Sequence, residues 1–317
     1  MQLVVRAPSL LLVAVMYGCA SSPPPDAKTV GSPVAPSKPV RPRSLSAGQR
    51  ELQAAIAAAK AGNLDEALQR TRLAIQANPN LEHAYLLNGS VCAMMAKPAC
   101  EREAYDRGLE ALPQSSALLK ERALVHLQQG EYADAVQKYE KARAITQDRS
   151  ADTLADLAYA YIFVNRLAEA KGLADRAVEL APACFTCQMA RGQVSLSRRD
   201  FSTAVSAFEA AQALLPEDPD AARSVAKAKF LNGEIEAASV LYERLVKNQP
   251  DDGRLRVQAA QVAMKAGRYQ AAVIHLQVVA AANPHQKKLL EFLAKAQEKA
   301  GDKQGAKATL HKASQLK

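Results

Sequence analysis

Seven helix-ending marks recur at nearly constant spacing along this 317-residue chain, and that regularity constrains the fold more than any other feature. They are Asn78-Pro79, Leu112-Pro113, Thr146-Gln147, Ala181-Pro182, Leu215-Pro216, Gln249-Pro250 and Asn283-Pro284, at successive spacings of 34, 34, 35, 34, 34 and 34 residues. Only the third lacks proline. Counting back from the second residue of each mark, small residues dominate three positions. Twelve residues back stand Ala67, Glu101, Ala135, Ala170, Ala204, Ala238 and Ala272. Five back are Ala74, Gly108, Ala142, Ala177, Ala211, Leu245 and Val279, and 24 back are Ala55, Gly89, Ala123, Ala158, Gly192, Ala226 and Ala260. Eight back lie mostly larger side chains, namely Thr71, Tyr105, Tyr139, Ala174, Phe208, Tyr242 and Leu276. Turn signals such as Ala61-Gly62-Asn63, Gln129-Gly130-Glu131 and Ala266-Gly267-Arg268 split each period in two.

This pattern describes two antiparallel helices in close contact. Small residues let the axes approach, longer side chains fill the adjoining holes, and glycine supplies the left-handed turn. Proline then ends each pair, because it cannot extend a helical ladder. A 34-residue period with these small and aromatic positions resembles the tetratricopeptide repeat (TPR). The resemblance implies an all-α TPR α-solenoid, a right-handed superhelix of about eight helix-turn-helix repeats with a concave inner face. The repeats are expected at 48–81, 82–115, 116–150, 151–184, 185–218, 219–252, 253–286 and 287–317, within a domain of 47–317. The second departs most, with Lys97-Pro98-Ala99-Cys100 at its internal turn; proline is tolerated at a first helical position. In the last repeat Lys288, Lys295, Lys299, Lys303, Lys307, Lys312 and Lys317 coat the helices, as suits a solubilising terminal cap.

The chain ahead of the repeats reads as an export signal and a tether. Arg6 precedes an eight-residue apolar stretch, Leu10–Tyr17, far short of the roughly 20 residues that span a bilayer, so 1–18 reads as a signal peptide. The run Met16-Tyr17-Gly18-Cys19 resembles a bacterial lipobox, although an ordinary secretory signal with a chance Gly-Cys would look similar. The resemblance implies that Cys19 carries acyl chains, and Ala20 after it points to the outer membrane, with the body facing the periplasm. Residues 19–46 hold seven prolines and few large apolar side chains, which suits a solvated, extended spacer better than a recognition motif.

Catalytic signatures are missing from the sequence. His83, His126, His275, His285 and His311 are scattered over different repeats, and no metalloprotease, phosphate-loop, nucleophile-elbow or dinucleotide motif occurs. No enzyme activity, cofactor or metal is expected. With Cys19 assigned to lipid, Cys92, Cys100, Cys184 and Cys187 remain, an even number that suits disulfides in an oxidising compartment. Cys92 and Cys100 fall where they would staple the irregular second hairpin. Cys184-Phe185-Thr186-Cys187 straddles a repeat junction, and a C-x-x-C at a helix start is either a structural bridge or a redox site. The two pairs are too far apart in the chain to suggest one zinc site.

In the TPR architecture the first helix of each repeat lines the inner surface. The inward positions are Leu86 and Met94, Leu124 and Leu127, Tyr159, Ile162 and Phe163, Met189 and Leu196, Phe230 and Leu231, then Val257 and Met264. Asp152, Lys120, Arg223, Lys227 and Arg254 interleave with them. Such an apolar groove with a charged rim suits capture of an amphipathic helix or extended segment. The later positions of each helix also pack on the next repeat, so part of this set is expected to be core. The lysine and asparagine clamp for a C-terminal carboxylate is not evident. A net charge of +9 invites a nucleic-acid reading, but Arg6, residues 20–46 and residues 285–317 carry the whole excess and 47–284 balance. Charge at two ends, with none across the body, does not make a nucleic-acid groove.

Signal, tether and repeats together resemble the TPR lipoproteins of type IV and Flp (Tad) pilus biogenesis. That implies a scaffold at the outer membrane whose partners are envelope proteins such as a secretin or pilus assembly subunit. Other readings are an adaptor for peptidoglycan hydrolases or polysaccharide-export machinery, and a periplasmic redox or binding module using Cys184 and Cys187.

Overall fold

The computed structural model describes residues 45–316; the expected signal peptide, Cys19 and the linker lie outside the described residues. The described residues form sixteen α-helices with no strand among them. α1 (Ala47–Lys60) pairs with α2 (Leu64–Ala77), α3 (Glu82–Met94) with α4 (Pro98–Ala111), and α5 (Ser116–Gln129) with α6 (Tyr132–Thr146). Next come α7 (Ala151–Phe163) with α8 (Leu167–Leu180), and α9 (Phe185–Ser197) with α10 (Phe201–Leu214). α11 (Pro219–Leu231) pairs with α12 (Ile235–Asn248), α13 (Gly253–Lys265) with α14 (Tyr269–Ala282), and α15 (Lys287–Lys299) with α16 (Lys303–Ser314).

The sequence reads as one run of eight repeats, but the pairs gather into two compact units dividing after Asp148, three pairs before it and five after. The division falls at the one repeat end that lacks proline. There Gln147 and Asp148 both take left-handed backbone, with φ of 52° and 58°. The Arg143 guanidinium donates to both carboxylate oxygens of Asp148, at 2.5 and 3.0 Å.

Local chemistry sets where helices start and stop. Ser46 and Gln49 form a reciprocal capping box at α1. Ser115, Ser150, Cys184, Asp218 and Asp252 cap α5, α7, α9, α11 and α13 by accepting an amide three residues on. An oxygen or sulfur acceptor there satisfies a donor that the first helical turn leaves open. Every intra-pair turn uses one left-handed residue, glycine at Gly62, Gly130, Gly233, Gly267 and Gly301 but Ala96, Asn165 and Arg199 elsewhere. A side chain in that conformation costs roughly 1–2 kcal/mol. Arg199→Gly is therefore expected to raise the stability of its unit by about 1 kcal/mol in urea titration, less the glycine's extra unfolded-state entropy.

Within each pair the small residue of the first helix meets the larger one of the second. A side-chain carbon added at Gly89 would overlap the Tyr105 ring, and one at Gly192 the Phe208 ring. Phe208 is fully buried and Tyr105 is 1% exposed, so both rings depend on the space a missing side chain leaves. Repeat one uses polarity instead, since the buried Thr71 hydroxyl accepts from the Asn88 amide at 2.8 Å.

Glu101 stands where the other repeats put alanine, and it is nevertheless buried. Burial raises its pKa above the ordinary carboxylate value. The folded chain thus favours the protonated acid, a contribution present below the ordinary range and lost as pH climbs through the raised value. Glu101→Gln is expected to shift the urea midpoint of the first unit upward at neutral pH, with the gain shrinking on acidification. A gain that is constant with pH would contradict the buried-charge account.

Candidate partner-binding surface

In the first unit the expected groove residues divide. Leu127 is 1% exposed and Leu86 9%, so both belong to the core; Met94 and Leu124 stay partly open. Leu86 packs with Tyr85, Tyr105, Leu118 and Val125. The sequence pattern places both leucines facing inward, but neighbouring side chains close over them.

In the second unit the set stays accessible. Tyr159, Ile162, Phe163, Met189, Leu196, Phe230, Val257 and Met264 are all partly exposed, and Leu231 is 40% exposed. Four of these form a ladder, since Ile162, Leu196, Phe230 and Met264 succeed one another every 34 residues. Each rung after the first has one side fixed in the core. Met189 and Leu196 rest on Val205, Phe208 and Val225. Phe230 rests on the cluster of Tyr242, Leu245 and Val246, and Val257 and Met264 on that of Leu276 and Leu293. Tyr159 and Phe163 meet edge to face at 5.2 Å, which holds both rings in place. Side chains anchored on one side and open on the other lose little entropy on meeting a partner.

A polar frame borders these residues. Lys229 donates to Glu209 at 2.7 Å and to Glu234 at 3.0 Å; these bonds, Glu209 first, raise its pKa and keep it charged. Arg223 reaches Gln249 at 3.1 Å and Asp252 at 3.3 Å. Burial pushes the Tyr242 hydroxyl up to about 12, so it remains neutral beneath Phe230. Lys227 and Arg254 are exposed, as the charged rim requires.

The cysteines pair as Cys92–Cys100, with Cα atoms 5.6 Å apart, and Cys184–Cys187, at 5.3 Å. The first bridge joins α3 to α4 across the irregular turn. The second closes the start of α9, where the Thr186 hydroxyl also donates to Asp152 at 2.8 Å. Sequence reasoning left that carboxylate out of the cysteine site. The signal was present, because Asp152 and Thr186 hold the same position in consecutive repeats, 34 residues apart.

His126, Glu131 and Asp134 also bring donor atoms within 4.8 Å of one another. His126 Nδ1 and Glu131 already share a hydrogen bond of 2.5 Å across the turn before α6, so we read the trio as bracing that turn. The best-formed depressions among the described residues hold about 150 and 340 Å³, at or below the low end of small-molecule sites, about 300–1,000 Å³.

Comparison with known proteins agrees with this geometry. Residues 126–194 and 195–261 match a tetratricopeptide-repeat family model. Among solved structures, a tetratricopeptide repeat protein from Parabacteroides merdae is similar with a TM-score of 0.57 at 15% identity, covering 79% of this chain and 98% of that one. The APC/C hetero-tetramer Cut9-Hcn1 gives 0.65 at 15% identity, over 76% of this chain and 48% of that one. PilF of Pseudomonas aeruginosa gives 0.54 at 15% identity, over 65% of this chain and 93% of that one. No curated protein matches significantly. The chain has the tetratricopeptide-repeat fold, which serves generally as a scaffold for protein interaction and not as a catalyst.

Proposed function

We propose that this chain is a lipid-anchored outer-membrane scaffold whose repeats capture a segment of an envelope protein during assembly of an envelope complex such as a pilus or its secretin. The observation that carries the capture reading is the apolar ladder of Ile162, Leu196, Phe230 and Met264, seated on the core and open on its other side. Apolar anchors at regular intervals with charges beside them suit an amphipathic or extended segment, which supplies side chains at regular intervals of its own. Cut9-Hcn1, whose structure is a hetero-tetramer, shows a similar fold at work in an assembly. The outer-membrane anchor rests on the lipobox resemblance at Cys19, and the pilus pathway on the likeness of signal, tether and repeats to pilus TPR lipoproteins. PilF supports that pathway at the level of fold.

The test places a photo-crosslinking residue at Ile162 or Phe230, and at the exposed Val240 and Ile274 on the second helices as controls. Capture of one envelope protein from the first two positions and none from the controls is expected; the reverse would overturn the groove. With that partner in hand, Phe230→Ala is expected to weaken binding by about 2 kcal/mol, roughly thirtyfold, as befits a central aromatic anchor. If the captured protein is a cell-wall hydrolase or export enzyme, the scaffold serves that machinery instead.

A further inference from the structure

The two disulfides sit in different chemical settings. Cys92 is fully buried and its bridge ties two helices across eight residues. The Cys184–Cys187 bridge spans three residues at the start of α9. Cys187 is fully buried among Leu154, Ala155, Ala177 and Ala190, whereas Cys184 is partly exposed. The Cys184 sulfur accepts the backbone N–H of Cys187 at 3.1 Å, where the helix dipole favours negative charge. Asp152 Oδ1 lies 3.6 Å from the same sulfur and is held there by Thr186, whose hydroxyl stands 3.2 Å from that sulfur. One sulfur is thus reachable, a donor awaits its thiolate, and a carboxylate stands by to carry a proton.

We infer that Cys184–Cys187 is a thiol–disulfide exchange site that accepts electrons from a cysteine pair of a bound protein. A thiolate of that pair attacks the Cys184 sulfur. The Cys184–Cys187 bond breaks, its electron pair leaves on the Cys187 sulfur, and that sulfur takes up a proton. The donor's second thiolate then attacks the donor sulfur of the mixed disulfide and releases Cys184, whose thiolate rests on the Cys187 N–H and is protonated by way of Asp152. Two thiols become one disulfide, and the site gains two electrons and two protons. The donor reaches the site from the groove, because α7 carries both Asp152 and Ile162, about 15 Å apart along the helix. That choice of donor rests on the groove reading; the exchange chemistry does not.

The test uses the full-length oxidised protein and substoichiometric dithiothreitol, with quenching by N-ethylmaleimide and peptide mass spectrometry. The Cys184–Cys187 bridge is expected to open at least tenfold faster than Cys92–Cys100. In Cys187→Ser, Cys184 is expected to form a mixed disulfide with an aromatic disulfide reagent, and adding Asp152→Asn moves the pH midpoint of that reaction downward, since a like charge beside the thiolate is gone. Equal opening rates for the two bridges, or a midpoint indifferent to Asp152, would overturn the inference. The opening rates need no variant, so they stand even if Cys187→Ser folds poorly. Failure of the crosslinking at Ile162 and Phe230 with exchange intact would remove only the groove as donor.

Discussion

Phe208→Ala is expected to destabilise the second unit by about 3–5 kcal/mol, the range for emptying a buried aromatic site. Phe208 is fully buried, and the facing position is Gly192, which has no side chain to move into the hole. Its other neighbours, Ala204, Val205, Val225 and Ala228, sit on two different helices that cannot both shift inward without breaking their own contacts. In a repeat array each pair contacts mainly its neighbours, so the loss concentrates at α9, α10 and α11. Urea unfolding followed by circular dichroism measures the total, and hydrogen exchange measures where it falls. Gly192→Leu combined with Phe208→Ala tests the cause. The leucine alone collides with the ring, yet in the double variant it fills part of the cavity, so the two costs are expected to be strongly non-additive. Additive costs, or a loss below about 1 kcal/mol for Phe208→Ala, would mean that the pair does not share one space.

Cys19→Ser is expected to move the protein wholly from the membrane fraction to the soluble fraction of the envelope. Each buried methylene adds about 0.8 kcal/mol, so three acyl chains hold essentially irreversibly and no partial effect is expected. The repeats offer no substitute, because no described helix is long and apolar enough to cross a membrane. Fractionation with and without Cys19 reads this directly, and a serine form that stays with membranes would overturn the anchor. Because Cys19 lies on the tether, its replacement leaves the stability of the repeats unchanged. Crosslinking from Phe230 in the soluble form then separates loss of placement from loss of binding.

Most of the fold was legible because its defining contacts are short in sequence. Gly89 and Tyr105, or Gly192 and Phe208, lie 16 residues apart across a single turn, so small-against-large alternation is visible without knowing anything about the rest of the chain. The intra-pair turns were legible for the same reason where glycine holds them. They were silent at Ala96, Asn165 and Arg199, where packing on either side imposes a left-handed residue that composition does not announce. The candidate surface was legible only as a register. Leu127 and Ile162 hold corresponding positions in adjacent repeats, yet Leu127 is 1% exposed and Ile162 partly open.

By itself, then, the sequence determined the helical pairs, the close approach within each pair and the likeness to TPR lipoproteins, since all of these follow from periodic local spacing and a terminal motif. Only the tertiary structure decided which inward residues stay open, that the pairs divide after Asp148, that Glu101 is buried at an alanine position, and that Cys184 meets Asp152 while Cys187 is shut away. Those properties depend on what neighbouring repeats place around a side chain. A residue's environment in a repeat array is a sum over the adjoining pairs, whereas its periodicity is a property of one.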